Sequence, residues 1–330
     1  PLGVSVTVPS AGQAGTSART ALAVYAELPD DAPVYLVPTQ YFGESGIWRG
    51  GEIQLSSGRN LLSIPQIGSL TDQRGGPLYI TYAGEHPEQI KLHVRSGANV
   101  CAIPVLELSL TGDMATNIRN ATEISTPSVL LSIPAGQALA GLKGSGRDTA
   151  AMAQVMYQNV LAWEDVLFVA NKVQGIIPAG TTMASYRYPM TTRQNIRYMR
   201  MFAGAFMYAA GNHVGIGYGS CAGMVRGTPI AKLPSGATAN SLFGWGIAHE
   251  IGHNMDKLGK AEITNNIYSL AVQAYDGAAM TLPTRLTKSN IWAAVYDKTS
   301  AGRPGSAGSV FVQLAMYWQL HLAYDGGDKP

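Results

Sequence analysis

The chain has 330 residues, of which 46% are hydrophobic and only 13% charged, about half the share of roughly 25% usual in globular proteins. Lysine and arginine are scattered and the net charge is +2, so no basic stripe recommends nucleic acid or an anionic membrane as a partner. No apolar run is long enough to span a bilayer, and the composition is that of a folded chain, not a disordered one.

Residues 1 to about 110 read as β-structure. VSVTV, APVYLV, GEIQLSSGRNLLSI, GPLYITYAG, IKLHVRSG and CAIPVLEL are short apolar or alternating runs separated by Gly, Pro, Asn or Ser. Their spacing predicts an antiparallel sandwich. Within the same region TSARTALAVYAELPDD is expected to form a short helix. YFGESGIW, near Trp48, offers rings for stacking on sugar or for packing the loop.

Beyond TGDMATN the texture changes. Asp148 to Val173 keeps apolar residues at helical spacing without an internal Gly or Pro, which predicts one long helix. NIRYMRMFAGAFMYAAGNHVGIGYGS is ambiguous, and its second half reads as a glycine-rich strand. SLFGWGIAHEIGHNMDKLG is expected to be helical from about Leu242 or Gly246. AEITNNIYSLAVQAYDG follows as a second helix after the Gly259 break, and SAGSVFVQLAMYWQLHLAYDGG as a third with Ser309 as its cap. The fold class is therefore α+β: an N-terminal antiparallel β-sandwich over 1–110, then a mainly helical domain over 111–330.

Cys101 and Cys221 are the only cysteines, compatible with one long-range disulfide or with two buried thiols. The absence of a C-x-x-C pair excludes a cysteine-based metal site. The low charge and the wealth of Ser, Thr, Gly and Tyr suit an extracellular protein. PLGVSVTVPS opens without Met and YDGGDKP ends abruptly, as in a piece of a longer secreted chain.

GWGIAHEIGHNMDKLGKAEITNN holds His249, Glu250, His253 and Glu262. On a helix His249 and His253 share a face and can aim their imidazoles at one ion. Zn²⁺ suits two neutral imidazoles and a carboxylate, with a fourth position left for water. Glu250, one step from His249, lies where it can take a proton from that water. With six histidines in 330 positions, a chance His-Glu-x-x-His arises roughly once in several hundred such chains, so the match is specific.

The third ligand selects among subclasses. A metzincin needs Gly where Asp256 stands, and His or Asp where Gly259 stands. The gluzincin pattern needs a glutamate on a following helix, and Glu262 is the only glutamate after His253. Glu262 opens the next predicted helix, where Asn265 and Asn266 would share its face and orient it by hydrogen bonding. An ordinary first-turn acid is the plainer reading of Glu262, with Asp276 as the fallback ligand.

GWGIAHEIGHNMD...AEITNNIYSLAV resembles the enhancin-like gluzincin metallopeptidases, whose signature is HExxH, a spacer of at least eight residues, then Glu. The spacer here runs from Asn254 to Ala261. Trp245, Gly252, Asn254 and the TNN after Glu262 also match that family. The resemblance is specific over roughly 210–275 and looser over 110–330. It implies one zinc ion per chain held by His249, His253 and Glu262, with Glu250 as catalytic base. It also implies secreted or cell-surface bacterial peptidases acting on mucins and other O-glycosylated proteins, cutting beside a glycosylated Ser or Thr, here as a monomer. In such peptidases an edge strand before the HExxH helix binds extended substrate. Gly211, His213 and Gly215 are the residues placed there, although a buried strand packed through its glycines fits equally. His213, Tyr218 and His321 are candidate donors to the oxyanion. A non-catalytic glycan-binding module on the same fold and a zinc aminopeptidase are the alternatives.

Overall fold

Alternating burial organises the first hundred residues. The computed structural model describes residues 2–8, 19–44, 47–67, 75–97, 99–102, 105–107, 123–144, 146–183, 193–202, 204–211, 213–230, 241–275, 285–288, 291–304 and 308–324. The first strands are β1 Val4–Thr7, β2 Arg19–Glu27, β3 Val34–Glu44, β4 Ile47–Arg49 and β5 Ile53–Gln54. They are followed by β6 Gly58–Pro65, β7 Gly75–Tyr82, β8 Lys91–Val94 and β9 Val100–Ala102. One antiparallel sheet has the order β4-β3-β7-β1-β9, with β5 also paired to β3, and a second has the order β6-β2-β8. Leu22, Val24 and Ile64 of the second sheet bury into one apolar cluster with Val6, Leu36 and Leu78 of the first.

The helix expected over TSARTALAVYAELPDD is replaced by β2. Thr20, Leu22, Val24 and Ala26 point inward while Arg19, Ala21, Tyr25 and Glu27 stay exposed, a period of two. Alanine's helix preference is worth a few tenths of a kcal/mol per residue. It yields to strand pairing on both flanks, with β6 and β8.

CAIPVLEL divides between sheets instead of forming one strand. β9 closes the first sheet, and β10, Val105–Glu107, opens a third. The rest of that sheet comprises β11 Glu123–Ser125, β12 Val129–Ser132, β13 Gln194–Tyr198, β14 Met207–Ala209 and β15 Val214–Ile216. Its order is β10-β11-β12-β13-β15-β14, with parallel and antiparallel pairs mixed. The chain beyond residue 110 is thus mixed α/β: helices supply most of its regular residues, and a sheet not expected from the sequence lies among them. Strands of three to five residues are too short for their periodicity to register in sequence.

β12 and β13 are parallel, which requires a crossover, and α1 Ala135–Lys143 with α2 Thr149–Val173 supply it. Asp148 caps α2, its carboxylate accepting from the Ala151 N–H at 2.8 Å. Val160, Trp163, Val166 and Leu167 of α2 bury completely into the larger core, together with Ile196, Val214 and Ile251. Two of the polar groups that α2 takes inside are paired: the Trp163 ring N–H donates to the Met224 carbonyl at 3.0 Å, and Asn159 accepts from the Gly227 N–H at 2.7 Å. Then come a 3-10 helix at Tyr218–Val225, α3 Trp245–Met255, α4 Asn266–Tyr275, α5 Arg285–Lys288, α6 Ile291–Ser300 and α7 Val310–Tyr324. Ser309 caps α7 as expected, accepting from the Val312 N–H at 3.4 Å.

The first and third sheets meet at a polar seam. Buried Glu123 accepts hydrogen bonds from the Tyr79 and Ser132 hydroxyls, and Arg197 donates to the Gln40 carbonyl at 3.2 Å. Cys221 is a buried free thiol, pushed up to about 12 by its apolar surroundings, with Sγ donating to the Gly217 carbonyl. The side chains of Cys101 and Trp48 lie outside the described residues, as does Asp276.

Candidate metal centre

Helix α3 places two imidazoles on one face by its own period. His249 and His253 lie four residues apart, their ring centroids 4.7 Å from one another at 87°. One ligand atom from each of His249, Glu250 and His253 lies within 4.8 Å of the others. Burial lowers the proton affinity of His253, aided by His249 and opposed by Glu262. That favours the neutral imidazole, the form a metal requires.

Glu262 arrives differently. It does not open a helix: α4 begins at Asn266, and Glu262 sits in the preceding turn at φ 64, the only non-glycine residue with positive φ among the described residues. From there its carboxylate lies 3.4 Å from His249 Nε2 and 3.1 Å from His253 Nε2. Ligands about 2.0–2.1 Å from one tetrahedral ion stand about 3.3 Å apart. The donor types, and the two separations from the carboxylate to the nitrogens, therefore suit a divalent metal ion of this kind. The Glu262 side chain is 57% exposed, so this centre opens to solvent.

Three contacts hold the turn against α3. Gly252 lies beneath it, and a Cβ there would stand 2.3 Å from the Asn265 carbonyl oxygen, so only glycine allows this approach. The Asp256 carboxylate accepts from the Leu258 N–H at 2.9 Å and from the Thr264 hydroxyl at 2.5 Å, closing the loop between the helices. Asn266 donates from Nδ2 to the Glu262 carbonyl at 2.7 Å, and its Oδ1 lies 2.6 Å from His249 Nδ1. With Oδ1 as acceptor, Nδ1 carries the proton and Nε2 keeps its lone pair facing Glu262. Asn265 also reaches His249, donating to its carbonyl at 3.3 Å. The two asparagines thus serve His249 and the Glu262 backbone, not the helical face that the sequence implied.

Glu250 is buried beside the pair. Burial raises its proton affinity above the ordinary carboxylate value, opposed by His249 and reinforced by Glu262. A carboxylate of raised affinity is suited to accept a proton.

The edge strand needs a correction. Gly215 belongs to β15, which pairs with β13 on one side and β14 on the other. It is glycine because the Tyr208 ring covers it: a Cβ would stand 2.3 Å from that ring. His213 is 1% exposed, with Nε2 3.0 Å from the Tyr208 hydroxyl, and burial pushes it down to about 4, with Arg197 adding to the shift. Such a ring offers no open face to a substrate. Gly211 forms the turn at φ 76, with its N–H bonded to Asn254 Oδ1 at 2.8 Å. Among the described residues the strand order of this sheet ends at β14, Met207–Ala209.

Tyr218 packs edge-on against Tyr198 at 5.9 Å. His321 lies 4.3 Å from the Trp318 ring, in a cavity of about 260 Å³ that also reaches Lys172 and Ile267. Sequence reasoning missed the part of Asn254, whose clue was only its place after His253. Among the described residues no helix is long and apolar enough to cross a membrane.

Comparison with known proteins follows the same lines. A family model described as "Peptidase M60, enhancin and enhancin-like" matches residues 150–329. The fold is similar to that of the M60 catalytic domain of Clostridium perfringens ZmpC in complex with the sialyl T antigen (TM-score 0.61, 21% identity), covering 88% of this chain and 54% of that one. It is also similar to the M60 catalytic domain of Clostridium perfringens ZmpB with its CBM51 domains (TM-score 0.69, 21% identity), covering 98% of this chain and 33% of that one. A metallopeptidase in complex with Tn antigen matches at TM-score 0.54 and 14% identity, over 86% of this chain and 47% of that one. At such identities the likeness establishes the fold, and this chain spans about half the length of these structures or less. No curated protein sequence matches it. The family model covers more than half of the 330 residues and includes the helix that carries both histidines, and on that ground the chain belongs to the enhancin and enhancin-like M60 peptidases.

Proposed function

We propose that this chain is the catalytic part of a secreted zinc metalloendopeptidase that cuts O-glycosylated, mucin-type proteins beside a glycosylated Ser or Thr. The observation that carries the reading is the convergence of His249 Nε2, His253 Nε2 and the Glu262 carboxylate beside a buried Glu250. His249, His253 and Glu262 would hold one zinc ion. Bound there, zinc supplies Lewis-acid polarisation of the scissile carbonyl and acidifies a water. Glu250 takes the proton of the attacking water on its carboxylate and returns it to the leaving amine. Asn266 keeps the His249 proton on Nδ1.

The sheet supports an orientation for the substrate. Gly217 N–H bonds to the Phe206 carbonyl and Ala210 N–H to the His213 carbonyl, with Tyr208 opposite Gly215. In this antiparallel register the main-chain groups of Met207 and Ala209 face away from β15 and are placed to pair with an extended peptide. The sialyl T antigen and Tn antigen bound to two structural neighbours support a glycosylated substrate. The apolar cluster shared by the two antiparallel sheets supports a β-sandwich over 1–110 ahead of a catalytic domain over 111–330.

The test is intact-mass analysis of a mucin-type glycopeptide and its unglycosylated twin, incubated with the protein, with Glu250→Ala and with chelator. Cleavage of the glycosylated form alone, lost in both controls, is the expected result. Cleavage of both forms would remove the glycan requirement. Cleavage of neither, with zinc demonstrably bound, would favour a glycan-binding module on this fold.

A further inference from the structure

Strand β14 is fastened to helix α3 at two points. Near its start Met207 lies against the first turn of the helix, where a Cβ on Gly246 would stand 3.1 Å from the Met207 sulfur. Past its end, Asn254 holds the turn into β15: Oδ1 accepts from the Gly211 N–H at 2.8 Å, and Nδ2 donates to the His213 carbonyl at 3.3 Å. The His213 carbonyl also accepts from the Ala210 N–H at 3.1 Å, so one oxygen joins the hairpin to the helix.

The lengths agree. Eight helical residues from Gly246 to Asn254 rise about 12 Å, and the four steps from Met207 into the turn at Gly211 reach at most about 13 Å. The strand therefore runs along the helix in the same direction. Gly246, Glu250 and Asn254 are spaced four apart and form one stripe of α3, with His249 and His253 on the neighbouring stripe. Along the helix, Glu250 is thus midway between the two anchors.

We infer that Asn254 is a positioning residue that sets the separation between the substrate-pairing edge of β14 and Glu250. This rests on the peptidase reading above. A peptide paired to Met207 and Ala209 is presented to Glu250 at a distance set by the Asn254 amide, which ties the β14–β15 hairpin to the helix at its turn, while the Gly246–Met207 contact acts only at the other end. The amide does this with one donor and one acceptor, so aspartate, which keeps only the acceptor, provides half of the clamp.

The test compares zinc-loaded wild type, Asn254→Ala and Asn254→Asp by hydrogen exchange and by kinetics on an extended glycopeptide and a version trimmed to the residues next to the cut. In Asn254→Ala the Gly211 amide is expected to lose protection, and kcat/KM on the extended peptide to fall about tenfold or more, chiefly in kcat. The loss on the trimmed peptide is expected to stay within about threefold, with zinc content and Tm close to wild type. Asn254→Asp should keep Gly211 protected and fall between the two. Equal losses on both peptides, or unchanged exchange at Gly211 in Asn254→Ala, would overturn the inference. If wild type cleaves neither peptide, the peptidase reading fails, while exchange at Gly211 still decides whether the clamp exists.

Discussion

Two segments bring the candidate ligands together by opposite means. Helix α3 delivers His249, Glu250 and His253 through its repeat alone, so any sequence that keeps the helix keeps their spacing. The turn before α4 delivers Glu262 through a left-handed backbone that costs on the order of 1–2 kcal/mol for a residue with a Cβ. That cost is offset by Asn266, by the Asp256–Thr264 bond and by the absence of a side chain at Gly252. One half of the centre is regular and tolerant, and the other is specified contact by contact. A substitution in the turn is therefore expected to disturb the metal while leaving the fold largely intact. A substitution where the turn touches the helix disturbs both.

The harshest trial of that contrast is Gly252→Ala. The added methyl meets the Asn265 carbonyl and forces the turn away, which predicts a loss of about 2–4 kcal/mol in urea unfolding and weaker zinc binding with every ligand still present. Unchanged zinc affinity would show that the turn is not held by this approach.

Asn266→Ala comes next. It removes the acceptor at His249 Nδ1 and the donor to Glu262, and a competitive chelator titration should show zinc affinity reduced by about 10–100-fold with Tm little altered.

His213 tests the side of the helix away from the turn. Its folded value, about 4, lies below its ordinary 6.5, so between those values the unfolded chain binds the extra proton and stability falls as pH falls. Unfolding free energy should drop by about 1–2 kcal/mol from pH 7 to pH 5 through this group, and His213→Gln should flatten that slope. An equally steep slope in the variant would assign the pH dependence elsewhere.

Glu262→Gly should give the smallest change, and one of opposite sign. Relief of the left-handed strain raises metal-free stability by up to about 1 kcal/mol, while zinc binding is lost.

What could be read from sequence follows the same division. The β-rich first hundred residues, the long helix from Asp148 and the pair on α3 all declare themselves by period. Ser309 declares itself as a cap by residue type. β2 misled because Arg19–Glu27 is alanine-rich, and its two pairing partners lie thirty and more residues away. The third sheet escaped notice because its strands are short and its order interleaves distant segments. Glu262 was identified as the only glutamate after His253, yet its conformation was not legible: positive φ at a glutamate depends on neighbours that no local pattern encodes. The glycines of the β14–β15 hairpin invited a substrate-binding reading, whereas one accommodates the Tyr208 ring and the other makes the turn.

Every group argued to surround the ion comes from the eighteen positions between His249 and Asn266. Closing so short a stretch costs about 2–3 kcal/mol of chain entropy, little more than an ordinary loop. The centre can therefore assemble before the distant strands β2, β6 and β8 have found one another, and metal captured early would bias refolding toward the correct pairing of α3 with α4. Refolding of the chelator-treated protein should accelerate when zinc is present from the start rather than added once the sheets have formed.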